Sequence, residues 1–121
     1  MSLMDAPGSD LRCAAVVQIV STGEQIQLQG CGEFTLGRVG DNLPVRPSID
    51  LTPFRAYEAG VSRLHATLLL EKEKAEIVDL GSANGTRLNG LRIAAHDPHP
   101  LKNGDILSLG NLEVRILFRQ G

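Results

Sequence analysis

Three short segments carry side chains suited to holding an anion, and each lies where a strand pattern stops. The segments are Gly37-Arg38, Ser62-Arg63-Leu64-His65 and Asn84-Gly85-Thr86, the last followed closely by Asn89-Gly90. Together they supply two guanidinium groups, a hydroxyl and a side-chain amide. A guanidinium fork grips phosphate oxygens in pairs, and an amide can bond to an extended backbone. The set therefore suits a phosphate monoester carried on an extended peptide.

Catalysis is disfavoured, because these segments offer neither a nucleophile–base pair nor a set of metal ligands. His65 has no neighbouring ligand pattern, and a single histidine is rarely a metal site. His96 and His99 lie among prolines in a predicted surface loop, where a metal site is also disfavoured. We therefore expect a binding protein that needs no metal or cofactor, and we do not expect an enzyme.

The composition indicates one soluble domain with an aliphatic core. The chain has 121 residues, of which 42% are hydrophobic, but only three phenylalanines, one tyrosine and no tryptophan. Scarce aromatics argue against single-stranded nucleic acid binding, and a net charge of −2 argues against duplex binding. No apolar run approaches the roughly 20 residues of a membrane span. We expect a cytoplasmic protein with no nucleic acid or membrane partner.

The first residues of the chain differ in character from the rest. Residues 1–9, with a second methionine at Met4, are typical of a leader or expression remnant without order, and residues 10–121 form one domain. We interpret that domain as a part of a larger multidomain protein.

Cys13 and Cys31 are able to pair, but two cysteines in a cytosolic domain are more often reduced. Cys13 alternates with apolar neighbours and is expected to be a small core residue.

Short runs with period-two hydrophobicity predict an all-β domain, a β-sandwich. The predicted strands are 11–20, 24–28, 33–38, 49–51, 66–71, 75–80, 87–88, 91–92, 105–109 and 112–119. Asn89-Gly90 separates two of these strands and predicts a two-residue hairpin turn with positive φ at both positions. The longest irregular stretch, 39–61, is expected to be functional because such loops are uncommon in compact domains. One short helical turn is predicted in it, with Thr52 as the cap and Pro53 in the first turn.

The order of these motifs resembles the forkhead-associated (FHA) domain family. The matching blocks are Gly37-Arg38, Ser62-Arg63-x-His65, Asn84-Gly85-Thr86-x-x-Asn89-Gly90 and the stretch 101–110. The resemblance covers roughly residues 12–118. It implies a sandwich of about eleven strands, of the SMAD/FHA type, that binds phosphothreonine peptides through loops at one end. The implied partner is a phosphothreonine-containing protein or a Ser/Thr protein kinase, in signal transduction.

The resemblance also implies a role for each site residue. Arg38, Ser62, Arg63 and Asn84 would bind the phosphopeptide. A hydrogen bond from Arg38 to a charged phosphate contributes about 1.5–3 kcal/mol. Other positions would support the site without touching the phosphate: Gly37, His65, Gly85, Thr86, Asn89 and Gly90. His65 in particular would brace the binding loop.

One position departs from the family pattern. Members often carry Thr or Ser immediately before the Asn-Gly pair, where the hydroxyl bonds to the phosphate, and this chain has Ala83. Losing one hydrogen bond costs about 1 kcal/mol, or about fivefold in affinity. Phosphate binding is then either weakened or lost. The alternative interpretation is therefore a phosphate-independent interaction or oligomerisation domain on the same scaffold, which Leu64, an apolar residue in the site loop, would also suit.

Overall fold

The computed structural model describes residues 13–40 and 46–119, and these residues form two antiparallel β-sheets with one parallel pair. The eleven strands are β1 (Ala14–Ile19), β2 (Gln25–Gln29), β3 (Gly32–Gly37), β4 (Ile49–Asp50), β5 (Ala66–Glu71), β6 (Lys74–Asp79), β7 (Thr86–Leu88), β8 (Leu91–Arg92), β9 (His99–Leu101), β10 (Ile106–Leu109) and β11 (Leu112–Phe118). The predicted all-β sandwich is confirmed. The expected leader, residues 1–9, lies outside the described residues.

The two sheets pack face to face around an aliphatic core. One sheet has six strands in the order β2-β1-β11-β10-β7-β8, and the other has five in the order β4-β3-β5-β6-β9. Strand β11 shows the pattern that produces this packing, since Leu112, Val114, Ile116 and Phe118 are buried while the residues between them are not. Alternate side chains of a strand point to opposite faces, so each sheet contributes one apolar face. The buried hydrophobic residues are mainly isoleucine, leucine and valine, with several alanines, Cys13 and Phe118 among them.

Strand pairing in the five-stranded sheet brings two of the three motif segments to one edge. The end of β3 lies beside the start of β5, with Leu36 paired to Ala66. Ala66 is in turn paired to Asp79 at the end of β6. The chain leaving β3, the chain entering β5 and the chain leaving β6 therefore meet at the same end of the sandwich.

The third segment follows β6, where the chain crosses to the six-stranded sheet and enters β7 at Thr86. The turn between β10 and β11 closes this end: the Gly110 N–H donates to the Gly85 carbonyl, and the Asn111 N–H donates to the Ala59 carbonyl. The loops that carry Arg38, Ser62 and Asn84 are thus gathered at one end, whereas the Asn89-Gly90 turn follows Leu88 at the other end of β7.

The Asn89-Gly90 turn has the backbone conformation predicted from the sequence. Asn89 has a φ of 49° and Gly90 a φ of 89°, as a two-residue hairpin turn between β7 and β8 requires. The Asn89 side chain also connects the turn to β10, because its Oδ1 accepts from the Ile106 N–H and its Nδ2 donates to Asp105. These bonds fix the hairpin to the six-stranded sheet.

Two local predictions were wrong, the surface loop at His99 and the cap at Thr52, whereas the short helical turn itself is present. His99 lies in strand β9, at the edge of the five-stranded sheet, and not in a surface loop. Pro100 is tolerated there because an edge strand leaves one side of its backbone unpaired. The predicted helical turn is a 3-10 helix over Thr52–Phe54, and Leu51, not Thr52, occupies the capping position. The Thr52 hydroxyl instead accepts a hydrogen bond from the Val39 N–H.

The expectation of reduced cysteines was also wrong, because Cys13 and Cys31 form a disulfide. Cys13 is 1% exposed, in agreement with its predicted burial. The bond joins the entry of β1 in one sheet to the entry of β3 in the other. Ala14 pairs with Gln29 and Ala15 with Phe118, which places the disulfide at the end of the sandwich opposite the motif loops. Sequence spacing does not reveal this proximity of the two sheets.

Candidate functional site

Gly37 and Arg38 end β3 in close contact with the loop that precedes β5. A Cβ at position 37 would collide with the carbonyl oxygen of Arg63, so only glycine allows the two chains to approach this closely. The Arg38 N–H donates to that same carbonyl at 3.2 Å. The Arg38 Nε donates to the Val61 carbonyl at 2.7 Å. The guanidinium is thereby held at a fixed place above the loop.

The ring of Tyr57 lies against the Arg38 guanidinium. The Arg38 Cζ is 4.9 Å from the ring centroid, a cation–π arrangement, and Tyr57 is 72% exposed. Within residues 13–40 and 46–119, the two terminal nitrogens of Arg38 have no hydrogen-bond partner. Tyr57 and Val61 thus orient the guanidinium while its terminal N–H groups stay available to a ligand. Tyr57 was not predicted as a site residue, because it lies in an irregular segment without a recognisable pattern.

Ser62 connects two of the loops through its backbone and its hydroxyl. Its N–H donates to the His65 Nδ1 at 2.9 Å, and its Oγ accepts from the Ala83 N–H at 3.1 Å. Because Oγ acts as the acceptor in the contact with Ala83, the hydroxyl proton remains free to be donated. The two loops are therefore bonded at the residue expected to touch the phosphate.

His65 is wholly buried and uses both ring nitrogens. Its Nε2 is 2.9 Å from the Gly85 carbonyl, and since Nδ1 accepts from Ser62, we assign the neutral tautomer with the proton on Nε2. Burial lowers the pKa of His65 below its ordinary value of 6.5, although the Gly85 hydrogen bond and the charge of Asp79 oppose this. The ring thus joins the loop before β5 to the loop before β7 as an uncharged group.

Asn84 and Gly85 form the third part of the site. The Asn84 Nδ2 donates to the Gly60 carbonyl at 3.0 Å, which leaves its Oδ1 and a second N–H proton for other partners. Gly85 has a φ of 83°, a conformation that residues with a side chain rarely adopt. Its carbonyl accepts from both His65 and Gly110. Gly85 therefore presents Asn84 outward while its own carbonyl is held inward.

Asp79, which the sequence reasoning missed, organises the loop between β6 and β7. Its carboxylate accepts from the N–H groups of Gly81 and Ser82 and from the hydroxyls of Ser82 and Thr86. Burial alone would raise the pKa of Asp79, but these hydrogen bonds outweigh it and hold the pKa below its ordinary value of 3.8. The signal was an aspartate at a strand end two residues before Gly-Ser, which is typical of a side chain that bonds to its own turn.

The four predicted binding residues fall into two adjoining depressions at this end. Arg38, Ser62 and Asn84 line the first, together with Tyr57, Val61 and Ala83. Arg63 lines the second with Arg38 and Tyr57, and its side chain lies against Gly40. Thr86 is buried beneath the loop, and Asn89-Gly90 lies at the tip of the β7–β8 hairpin. The structure thus brings three of the four predicted binding residues to one depression, with Arg63 beside it.

Metal-binding clusters and membrane-spanning helices are both absent from the described residues. No group of three or more His, Cys, Asp or Glu residues there is arranged to hold a metal ion. The described part of the chain also contains no helix long and apolar enough to cross a membrane.

Sequence comparison identifies relatives of this chain. The family model for the FHA domain matches residues 34–110. FraH of Nostoc sp. is 39% identical over 85 residues, which cover 69% of this chain and 28% of FraH. The chain thus spans less than a third of that relative.

Solved structures share the architecture. A structure described as an analysis of phosphothreonine-dependent FHA domain interactions is 26% identical with a TM-score of 0.69, covering 89% of this chain and 99% of that one. The FHA domain of FhaA from Mycobacterium tuberculosis, complexed with the intracellular domain of Rv3910, is 27% identical with a TM-score of 0.65, covering 84% and 98%. With its family match, its eleven-stranded sandwich and its loop-borne motifs, this chain belongs to the FHA domain family.

Proposed function

We propose that this domain is a phosphothreonine-dependent protein interaction module of Ser/Thr-kinase signalling. The observation that carries the proposal is the convergence of Arg38, Ser62 and Asn84 on one depression. FHA domains are interaction modules, and the FHA relative described above is studied for phosphothreonine-dependent interactions. The partner would be a cytoplasmic phosphothreonine-containing protein or a Ser/Thr kinase.

Each binding residue has a distinct task in this proposal. The terminal nitrogens of Arg38 and the hydroxyl of Ser62 donate to the phosphate oxygens, in bonds strengthened by the phosphate charge. Arg63, in the adjoining depression, adds a second positive charge near the same oxygens. Asn84 bonds to the peptide backbone and holds the ligand extended.

The supporting residues hold these groups in place. His65 joins the backbones of Ser62 and Gly85. Gly37 allows the backbone at Arg63 to approach β3 closely. Thr86 bonds to Asp79 at the start of β7, and Asn89 bonds to Ile106 after the end of β7. Such preorganisation lowers the entropy cost of binding. Val61 and Ala83 supply an apolar lining in the depression, which suits the methyl group of threonine and favours phosphothreonine over phosphoserine.

Fluorescence polarisation with a degenerate phosphothreonine peptide pool and its unphosphorylated counterpart tests the proposal. We expect saturable binding to the phosphorylated pool alone, with a loss of about 10- to 100-fold in an Arg38→Ala variant. Arg119→Ala is the matched control, since this exposed arginine follows β11 at the opposite end of the sandwich. Unchanged binding in Arg38→Ala would overturn the assigned mechanism.

The alternative, a phosphate-independent interaction domain, is favoured by two exposed apolar side chains, of which Leu64 lies at this end and Leu91 lies beside the tip of the β7–β8 hairpin. Leu64 is 41% exposed beside Arg63, and Leu91 is 76% exposed on the β7–β8 hairpin. Equal binding of a partner before and after phosphatase treatment would select this alternative. A Leu91→Ser variant would then lose affinity, whereas Arg38→Ala would not.

A further inference from the structure

Two arginines on the β7–β8 hairpin lie beside the phosphate depression without a part in the proposed clamp. Arg87 of β7 and Arg92 of β8 are paired directly across the hairpin. Their neighbours Thr86 and Ile93 are buried. Because side chains alternate along a strand, both arginine side chains project from the outer face of the six-stranded sheet.

Both arginines lie against the segment that carries Asn84. Arg87 lines a depression together with Gly60, Asn84 and Asn111, and two of these residues, Gly60 and Asn84, also line the phosphate depression. The Arg92 guanidinium covers Gly85, since a Cβ placed there would be 2.8 Å from the Arg92 Cζ. We call the depression lined by Arg87 the arginine depression, and the one lined by Arg38, Ser62 and Asn84 the phosphate depression. The two depressions adjoin each other at Asn84.

The charge of this pair is not neutralised within the described part of the chain. No described carboxylate forms an ion pair with either arginine. On the outer face of the six-stranded sheet, Arg87 is paired with Ser108, and Ser108 is paired with Glu113. Glu113 is therefore two strands, or roughly 10 Å, away from Arg87. Glu58 lines the arginine depression but makes no ion pair with Arg87. Like charges placed directly opposite on a hairpin destabilise it, so an anion here would relieve the repulsion.

We propose that Arg87 and Arg92 bind a second anionic side chain on the same phosphothreonine peptide. This inference rests on the proposed function above. An extended peptide advances about 3.3 Å per residue, and the two depressions meet at Asn84, so the second anion would stand about two to four residues from the phosphothreonine. A carboxylate or a second phosphate both fit a pair of guanidinium forks.

A peptide scan by fluorescence polarisation tests the inference. The parent is a phosphothreonine peptide with alanine at the four positions on either side, and each position is changed in turn to aspartate or phosphoserine. We expect one position to tighten binding about tenfold, the effect of one charge-assisted hydrogen bond. An Arg87→Gln/Arg92→Gln double variant should lose this gain but bind the parent peptide as before. A larger gain with phosphoserine than with aspartate would identify a second phosphate as the anion.

Two further variants sharpen the result. Arg119→Gln, at the opposite end, should keep the full gain. Glu58→Gln should enlarge the gain by removing a negative charge that lines the same depression as Arg87. If the parent phosphopeptide does not bind at all, the proposed function fails. If it binds but no position gains, or the gain survives in the double variant, only the second anion site is overturned.

Discussion

Replacing His65 by alanine should destabilise the loops that carry the binding residues, because the ring bonds to both the loop before β5 and the loop before β7. The ring is fully buried, and its removal leaves the Ser62 N–H without its partner, at a cost of about 1–3 kcal/mol. The Gly85 carbonyl loses one bond but keeps that from Gly110, which costs a further 0.5–1.5 kcal/mol or so. We therefore expect the free energy of unfolding to fall by about 2–4 kcal/mol, a large share of a typical domain's stability.

The same residue predicts how stability depends on pH. Because the pKa of His65 is lowered in the fold from 6.5, the unfolded chain takes up a proton at a higher pH than the folded chain does. The contribution of His65 is therefore complete above about pH 6.5 and is lost as the pH falls toward the lower pKa of the folded state. In a His65→Gln variant, this part of the pH dependence should disappear.

Urea unfolding followed by circular dichroism, at several pH values from 7 down to 5, measures both effects. His96→Asn is the matched control, because His96 is exposed and asparagine tolerates its left-handed backbone. The control should change the free energy of unfolding by less than about 0.5 kcal/mol and keep the pH dependence. A loss below about 1 kcal/mol in His65→Ala, or an unchanged pH slope in His65→Gln, would refute the bracing role.

Three further predictions concern other parts of the domain. Gly37→Ala should lower the urea midpoint and weaken phosphopeptide binding together, because the added Cβ collides with the Arg63 carbonyl; unchanged values would contradict the close approach. Reducing the disulfide, whose cysteines are 18 residues apart, should lower the free energy of unfolding by about 3 kcal/mol without altering peptide affinity in native conditions. Equal stability of the oxidised and reduced forms would contradict this. Ala83→Ser should tighten phosphothreonine peptide binding about fivefold in the polarisation titration, and an affinity that does not rise would mean that Ala83 costs nothing.

Period-two patterning predicted most of the sandwich, because strands with one buried face repeat apolar residues at alternate positions. Ala66–Glu71 was predicted with its observed bounds for this reason. Strand β9 was missed because its three residues contain Pro100, which normally argues against a strand. The disulfide was missed because a Cα–Cα distance of 4.8 Å between different sheets depends on tertiary packing, which spacing in the sequence does not encode.

The candidate site was predicted from residue types at strand ends, and strand pairing explains why those ends meet. Two features of the site lay beyond this reasoning. Tyr57 reaches Arg38 from an irregular segment, where no periodicity indicates which side chain lies against the site. Asp79 precedes a Gly-Ser turn signal, but only the structure shows that its carboxylate accepts four hydrogen bonds from this segment.

The most direct test of phosphothreonine recognition is a two-dimensional amide NMR titration with one peptide in phosphorylated and unphosphorylated form. We expect the phosphothreonine form alone to shift amide signals, and the shifts to centre on Arg38, Ser62 and Asn84 at the loop end. Signals near the disulfide at the opposite end, such as those of Ala14 and Gln29, should stay in place. Equal shifts with both forms, or shifts centred on a strand edge away from these loops, would contradict the proposed function.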